Sequence, residues 1–402
     1  MFKMREIYNK ALTLIMGKVY HKQFFQKLVI FAVLLSSATL SLSVYVFVSL
    51  TNIKLSDVLV DNNKKSGDLL KVHFLNIGQG DAIYIVAPNK NSMLIDSGPQ
   101  NEKVIAEVQK FKSIFDRQLN VLLTTHADAD HIGSMKKVIE KFQYQIFAYS
   151  GLSSDTKLFA DLMSIINESA GSGGQNFSVK NSDDTRGAKN TKNSKSANKI
   201  TLTAGMSIVL DQKNRIRFDV LFPDFDYQID AYQKCLKKEK DKIEKRKIKD
   251  SKNSKSKKAE TKTKTLKDVC LKNLSTETNL NSVVGKLSYG STSFMLTGDA
   301  PIEVEKFIIE KYSDIRADVL KLGHHGSKTS TSPEFLEAVS PNFTIVSAGK
   351  ENKYGHPHKR VLDTIAEFKK NQLKFEKVLR TDVNGTISFY SDGSDILVNP
   401  EF

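Results

Sequence analysis

THADADHIG, residues 125–133, is the stretch on which the reading of this chain turns. In it His126, Asp128, Asp130 and His131 place four metal-ligand side chains within six residues. The apolar run VLLTT (121–125) precedes them and the helical pattern SMKKVIEKF follows, so the cluster sits on a strand-to-helix loop. Imidazole nitrogens and carboxylate oxygens on so short a loop can converge on one or two cations. A helix N-cap would explain Asp130 alone, not both histidines and Asp128.

Three further groups stand beside this one. Leu296-Thr297-Gly298-Asp299 ends an apolar strand in a carboxylate, although by itself TGD is an ordinary turn. GHHGSK (323–328) ends another strand with His324, His325, Ser327 and Lys328. Its small residues leave backbone N–H groups and hydroxyls free to hold an anion, and Lys328 adds charge. YGHPH (354–358) sets His356 and His358 in a Pro/Gly loop. Gly78-Gln79-Gly80 is no dinucleotide fingerprint, because no GxGxxG follows and a strand comes next. A tight turn is its reading.

Around these groups the pattern is mixed. KVHFLNI, AIYIVAP and SMLIDSG read as short strands separated by the turn-formers GQGD and NKNS. Strand runs then alternate with helical stretches such as NEKVIAEVQKFKSIF, TKLFADLMSIINE and APIEVEKFIIEKY. Hairpins followed by alternating strands and helices predict an α+β fold, a layered αββα sandwich, over residues 69–402. RTDVNG (380–385) reads as a hairpin turn through Asn384-Gly385.

The 23 uncharged residues 28–50 would span about 34 Å as a helix, enough for a hydrocarbon core of about 30 Å. They predict a single transmembrane helix between a basic leader (1–27) and a polar linker (51–68). Six Lys and Arg precede the span and three lysines follow shortly after it. That asymmetry predicts a cytoplasmic N-terminus and an extracytoplasmic domain.

The formal charge is +15, and most of it is local: Lys234 to Lys272 holds 17 Lys and Arg against 6 Asp and Glu. A basic loop, rather than a basic fold surface, is what this charge establishes, and the loop is suited to a polyanion. Segments 169–198 and 226–279 lack the apolar surface that offsets ordering entropy, and are expected to be mobile insertions. The two cysteines, Cys235 and Cys270, flank the basic stretch with no CxxC and no nearby histidine, which excludes a zinc motif. An oxidising compartment would permit a disulfide between them, and two free thiols is the other reading.

FLNIGQGDA, LIDSG, THADADHIG, LTGD, LKLGHHGSKTS, YGHP and RTDVNG occur in this order. Together they resemble the metallo-β-lactamase-like domain at the C-terminus of the ComEC/Rec2 DNA-uptake family, over roughly Leu69 to Phe389. The resemblance implies a two-metal centre in a four-layer αββα sandwich. By position, His126, Asp128, Asp130 and His131 match the metal loop, Asp299 the bridging carboxylate and Asp96 the carboxylate steadying the loop. His325 or His356 would complete the second site, and His324 would support its neighbour. Many enzymes of this fold supply a further histidine between the metal loop and the bridging carboxylate, and none occurs here between His131 and His324. Asp128 in place of a histidine makes the set richer in oxygen, favouring manganese or magnesium over zinc, with zinc still an option.

Such a centre implies hydrolysis by a metal-bridging hydroxide. Asp130 would orient the water or take its proton, Ser327, Lys328 and His356 would hold a phosphate, and His356 would protonate the leaving oxygen. The leading expectation is a membrane-anchored phosphodiesterase acting on DNA. The alternatives are a hydrolase of lactones, β-lactams or envelope polymers on the same fold, and a non-enzymatic anchor. The near-complete ligand set argues against the last.

Overall fold

The first three strands alternate in sequence because each lays one face on a core between two sheets. The computed structural model describes residues 69–113, 115–151, 154–168, 179–181, 198–251, 270 and 277–400. The leader, the expected membrane span 28–50 and the linker lie outside the described residues. Among the described residues no helix is long and apolar enough to cross a membrane.

Strands β1 (Leu70–Phe74), β2 (Ile83–Val86) and β3 (Ser92–Ile95) form an antiparallel meander. The chain then changes to parallel pairing, with β4 (Gln118–Thr124) beside β3 and β5 (Gln143–Tyr149) beside β4. Helices α1 (Lys103–Phe111), α2 (Ala129–Ile132) and α3 (Met135–Lys141) make these crossovers, and α4 (Lys157–Glu168) follows β5. Strand β6 (Val179–Asn181) belongs to the second sheet, whereas β7 (Asn198–Thr201) pairs with β5.

The second sheet repeats the scheme. Strands β8 (Met206–Asp211), β9 (Ile216–Phe222), β10 (Val284–Tyr289) and β11 (Thr292–Leu296) are antiparallel. Strands β12 (Val319–Lys321), β13 (Phe343–Val346) and β14 (Lys377–Arg380) continue in parallel. Between β9 and β10 lies helix α5 (Phe225–Ser251). Helices α6 (Ile302–Lys311), α7 (Pro333–Val339) and α8 (Lys359–Asn371) and the single turn α9 (Thr381–Asn384) complete this half. Strands β15 (Ile387–Ser391) and β16 (Ile396–Pro400) return to the first sheet beside β1.

Three apolar layers make this the expected four-layer αββα sandwich. Val72, Phe74 and Ile85 of one sheet meet Phe218, Leu287 and Phe294 of the other. Val108, Met135 and Leu162 cover the outer face of the first sheet, and Ile308, Leu336 and Ile365 that of the second. Phe389 sits edge-to-face against Phe74 at 6.0 Å on its own sheet and against Phe294 at 5.8 Å on the other, locking the seam.

Three local readings change. Phe225–Ser251, inside the segment expected as a mobile insertion, is helical. Its run of Lys and Glu lacks core residues, yet these are good helix formers and pair along the helix, as Lys242 does with Glu239 at 2.6 Å. The same helix carries Cys235 to disulfide distance of Cys270, with Cα atoms 5.7 Å apart. RTDVNG is not a hairpin turn. It carries the chain from β14 in one sheet to β15 in the other, with Asn384 Oδ1 accepting from Arg380 N–H at 2.9 Å and Gly385 at φ 70°. Helix α8 is unmarked in the sequence reading, although Val361, Ile365 and Phe368 recur at helical spacing and are buried.

His73, outside the three histidine groups, is a core residue of β1. Its ring stacks on Phe111 at 3.7 Å and its Nδ1 pairs with the Ser388 hydroxyl at 2.8 Å. Burial, with the Lys71 charge adding to it, pulls its pKa down to about 3. The unfolded chain therefore takes up this proton first as pH falls below about 6.5, and stability drops with acidification. Between pH 7.5 and pH 5 this ring should remove about 2 kcal/mol in urea titrations. His73→Gln should lose that part of the pH dependence. Identical slopes for both proteins would refute this.

Candidate metal centre

Parallel strands deliver side chains to their carboxyl ends, and here both sheets do so at the same edge. Asp96 follows β3, the 126–131 loop follows β4, Asp299 follows β11 and His325 follows β12. The two halves are joined at this point by Val283 N–H donating to Thr125 C=O at 3.0 Å. Gly80, at φ 120°, lets the preceding loop press on the metal loop. A Cβ there would lie 2.0 Å from the Asp130 carbonyl oxygen. The tight-turn reading of GQG is thus what the geometry requires.

Four side chains converge at the centre. His131 Nε2 lies 3.3 Å from Asp299 Oδ1 and 3.4 Å from His325 Nε2. His325 Nε2 in turn lies 3.3 Å from Asp299 Oδ2 and 3.2 Å from Asp130 Oδ2. His131, His325 and Asp299 are fully buried. Of His325 and His356, it is the His325 ring that faces both carboxylates.

A second layer fixes these rings. Asp96, itself in the left-handed region at φ 58°, accepts from His131 Nδ1 at 2.8 Å and from the Thr125 N–H and hydroxyl at 2.8 and 2.7 Å. His325 Nδ1 donates to the Ser347 carbonyl at 2.9 Å. With Nδ1 committed on both rings, Nε2 is the atom each presents inward. Asp81 reaches both rings only from the Nδ1 side, at 3.4 Å from His325 and 4.0 Å from His131. Asp81, His131, Asp299 and His325 nevertheless offer ligand atoms within 4.8 Å of one another. Asp81 is bonded to Lys321, a fully buried lysine that also donates to the Gly298 carbonyl at 2.9 Å and lies 3.7 Å from Asp299 Oδ1.

The remaining candidates surround this core. The His126 ring is 4.1 Å from that of His131, and its Nε2 is 3.6 Å from Asp128 Oδ2. Asp128 accepts from the Thr278 hydroxyl at 2.5 Å. His324 Nε2 approaches Asp299 Oδ2 at 3.8 Å from the outer side. Ser327 is buried, its hydroxyl sharing a hydrogen bond with Thr329 at 3.1 Å, and Lys328 is exposed on the same loop. The His356 ring is one step further out, 6.2 Å from that of His325. His358 is occupied as the N-cap of α8, accepting from Arg360 N–H at 3.2 Å.

The electrostatics favour positive charge at the centre. Burial alone would depress His131 and His325, yet Asp299 with Asp96 raises the first well above an ordinary imidazole, and Asp299 with Asp81 raises the second. Burial would push Asp299 and Asp130 up. Instead the neighbouring His325 and His131 hold Asp299 well below the carboxylate range, and hold Asp130 below it too. A field that favours a proton on each ring favours a divalent cation between them. Four atoms around the centre, His126 Nε2, Asp299 Oδ1, Asp81 Oδ1 and His356 Nδ1, are buried without a hydrogen bond. His324 and His325 are held at φ 46° and 56°, a costly conformation for non-glycine residues that aims both rings at Asp299. The donor set fits a divalent cation, with His131, His325, Asp130 and Asp299 to hold it and His126 and Asp128 adjacent. His356 differs. Burial and the nearby His325 and His324 lower its pKa to about 4, so the ring is neutral at pH 7.

Replacing Asp96 by alanine frees His131 Nδ1 and the Thr125 hydroxyl without touching the inner donors. Ion affinity should fall about 10- to 100-fold with the fold retained, as for other ligand-orienting carboxylates. Isothermal titration with manganese checks this, and unchanged affinity would remove Asp96 from the site.

Asp81 and Lys321 are missing from the sequence reading. Asp81 is hidden in GQGD, where a turn suffices to explain it. Lys321 carried a usable signal, being the one charge in VLKLG (319–323), whose strand Val319–Lys321 is buried throughout.

Residues 75–173 match the metallo-beta-lactamase superfamily. The chain is 29% identical over 338 residues to ComE operon protein 3 of Bacillus subtilis, covering 79% of this chain and 33% of that protein. To Recombination protein 2 of Haemophilus influenzae it is 36% identical over 120 residues, 29% of this chain and 14% of that one. The chain thus spans about a third of the length of the first relative and less of the second. The solved metallo-beta-lactamase fold protein YhfI of Bacillus subtilis aligns over 82% of this chain and 100% of its own, at 10% identity and a TM-score of 0.37.

Proposed function

We propose that this chain, a metallo-β-lactamase-fold, metal-dependent hydrolase related to competence proteins, is a phosphodiesterase acting on DNA. In this reading residues 28–50 hold it in a membrane and the catalytic domain faces an extracytoplasmic compartment. One observation carries the reading: Asp130, His131, Asp299 and His325, drawn from both sheets, meet in one cluster. The name of one relative, Recombination protein 2, supports DNA as the polymer concerned. The Lys-rich stretch 234–272 supplies a polycationic contact for it. Cys235 at disulfide distance from Cys270 suits an oxidising compartment.

Bound at His126, Asp128, Asp130, His131, Asp299 and His325, two divalent ions (manganese or zinc, with magnesium a further option) would supply Lewis acidity and a water acidic enough to ionise near neutral pH. Asp130 stays ionised beside His325 and is placed to accept the proton of the attacking water. Lys328 and Ser327, on the loop after His325, hold the phosphate. His324 buttresses Asp299 from the outer side. His356 would hold a phosphoryl oxygen and, protonated beside the substrate's negative charge, supply the proton to the leaving oxygen.

The test uses the full chain in detergent, loaded with manganese or zinc and offered linear DNA, a generic phosphodiester and a chromogenic β-lactam. Metal-dependent DNA cleavage supports the reading. Cleavage of the β-lactam alone would replace it with small-molecule hydrolysis on the same scaffold.

A further inference from the structure

Tyr354 is an aromatic side chain at the mouth of the centre that none of the roles above uses. It is 69% exposed, while its ring lies nearly parallel to His356, at 5.7 Å and 23°. The His356 ring is 6.2 Å from His325, which faces Asp130 and Asp299. Two ring-to-ring steps thus connect the reacting centre to an aromatic face open to solvent.

The loop that presents this face is built rather than loose. Asn352 Oδ1 accepts from His356 N–H at 2.8 Å, and Asn352 Nδ2 donates to the carbonyls of His356 and Gly349 at 2.7 and 2.9 Å. Gly349 N–H donates in turn to Gln79 Oε1 at 3.2 Å, tying the loop to the GQGD turn. Gly355, at φ 70°, makes the turn that follows Tyr354. Lys350 and Lys353 are exposed on the same loop.

We infer that Tyr354 is the stacking platform for a nucleobase next to the scissile phosphate, which makes single-stranded DNA the preferred substrate. This rests on the phosphodiesterase reading above. The chemistry matches: every base has a π-face, and a solvent-facing tyrosine backed by a second ring offers a flat partner at low entropic cost. A base stacked on Tyr354 has left its neighbours in the strand, a cost that a duplex pays and a single strand largely avoids. The lysines of the loop then track the backbone on either side.

The sequence contains no tryptophan, so Tyr354→Trp would introduce the only one. In the full chain, addition of a single-stranded oligonucleotide should quench its emission, and an oligonucleotide of equal length made abasic around the cleavage point should not. In cleavage assays with manganese, Tyr354→Ala should lower kcat/KM on single-stranded DNA roughly 10- to 100-fold, with Tyr354→Phe near wild type. On the abasic strand the wild type and Tyr354→Ala should be equal. Equal quenching by both oligonucleotides, or a Tyr354→Ala variant as active as wild type on single strands, overturns the inference. Should the wild-type protein cleave no DNA at all, the phosphodiesterase reading fails first, and the tryptophan signal still reports whether bases stack there.

Discussion

Asp299→Asn should lower metal-dependent DNA cleavage by at least about 10³-fold and weaken ion binding, while the protein stays folded. Asp299 lies within 4 Å of His131, His325, His324 and Lys321 alike. Its charge is the largest of those that raise His131 and His325, so its removal weakens the field that would favour a cation. Asparagine preserves the shape, and the backbone contact from Asp299 N–H to the Ser282 hydroxyl at 3.1 Å is untouched. Manganese titration and kcat/KM on an oligonucleotide measure the two losses separately. Activity within tenfold of wild type would mean that the inner cluster is not where the chemistry happens.

The second large effect concerns Lys321→Met. The ammonium is fully buried, bonded to Asp81 and to the Gly298 carbonyl, and close to Asp299. Methionine fills the same volume but leaves Asp81 as a buried charge, one of whose oxygens already has no hydrogen bond. Breaking a buried pair from one side costs about 3–5 kcal/mol, far more than the pair contributes against an apolar replacement. Urea unfolding at pH 7 should show a loss of that order for the single variant. The double variant Lys321→Met/Asp81→Asn should recover a large part of it. A single variant within about 1 kcal/mol of wild type would show that water reaches the pair.

The fold was legible because its two periodicities are plain. KVHFLNI and AIYIVAP alternate, and NEKVIAEVQKFKSIF and APIEVEKFIIEKY repeat at helical spacing, so sheets covered by helices follow. The inner site was legible for a related reason, since its ligands crowd the ends of apolar strands. What escaped is set by three-dimensional context. Asp81 acts on the far side of His325, and no local pattern separates that from a turn. His325 and His356 look alike as donors in sequence, and only packing separates them, the His356 ring lying 6.2 Å from that of His325. The charge of α5 suggested an insertion without structure, whereas Lys and Glu also make a solvated helix.

One consequence follows from how the donors are shared out. His126, Asp130 and His131 hang from the first sheet, while Asp299 and His325 hang from the second. A cation held by all of them would clasp the seam of the sandwich, and its release would accompany any parting of the sheets. The grip then adds to folding stability in proportion to the logarithm of free ion over dissociation constant. Scarcity of the ion in the surroundings would thus shorten the life of the folded chain as well as quiet it.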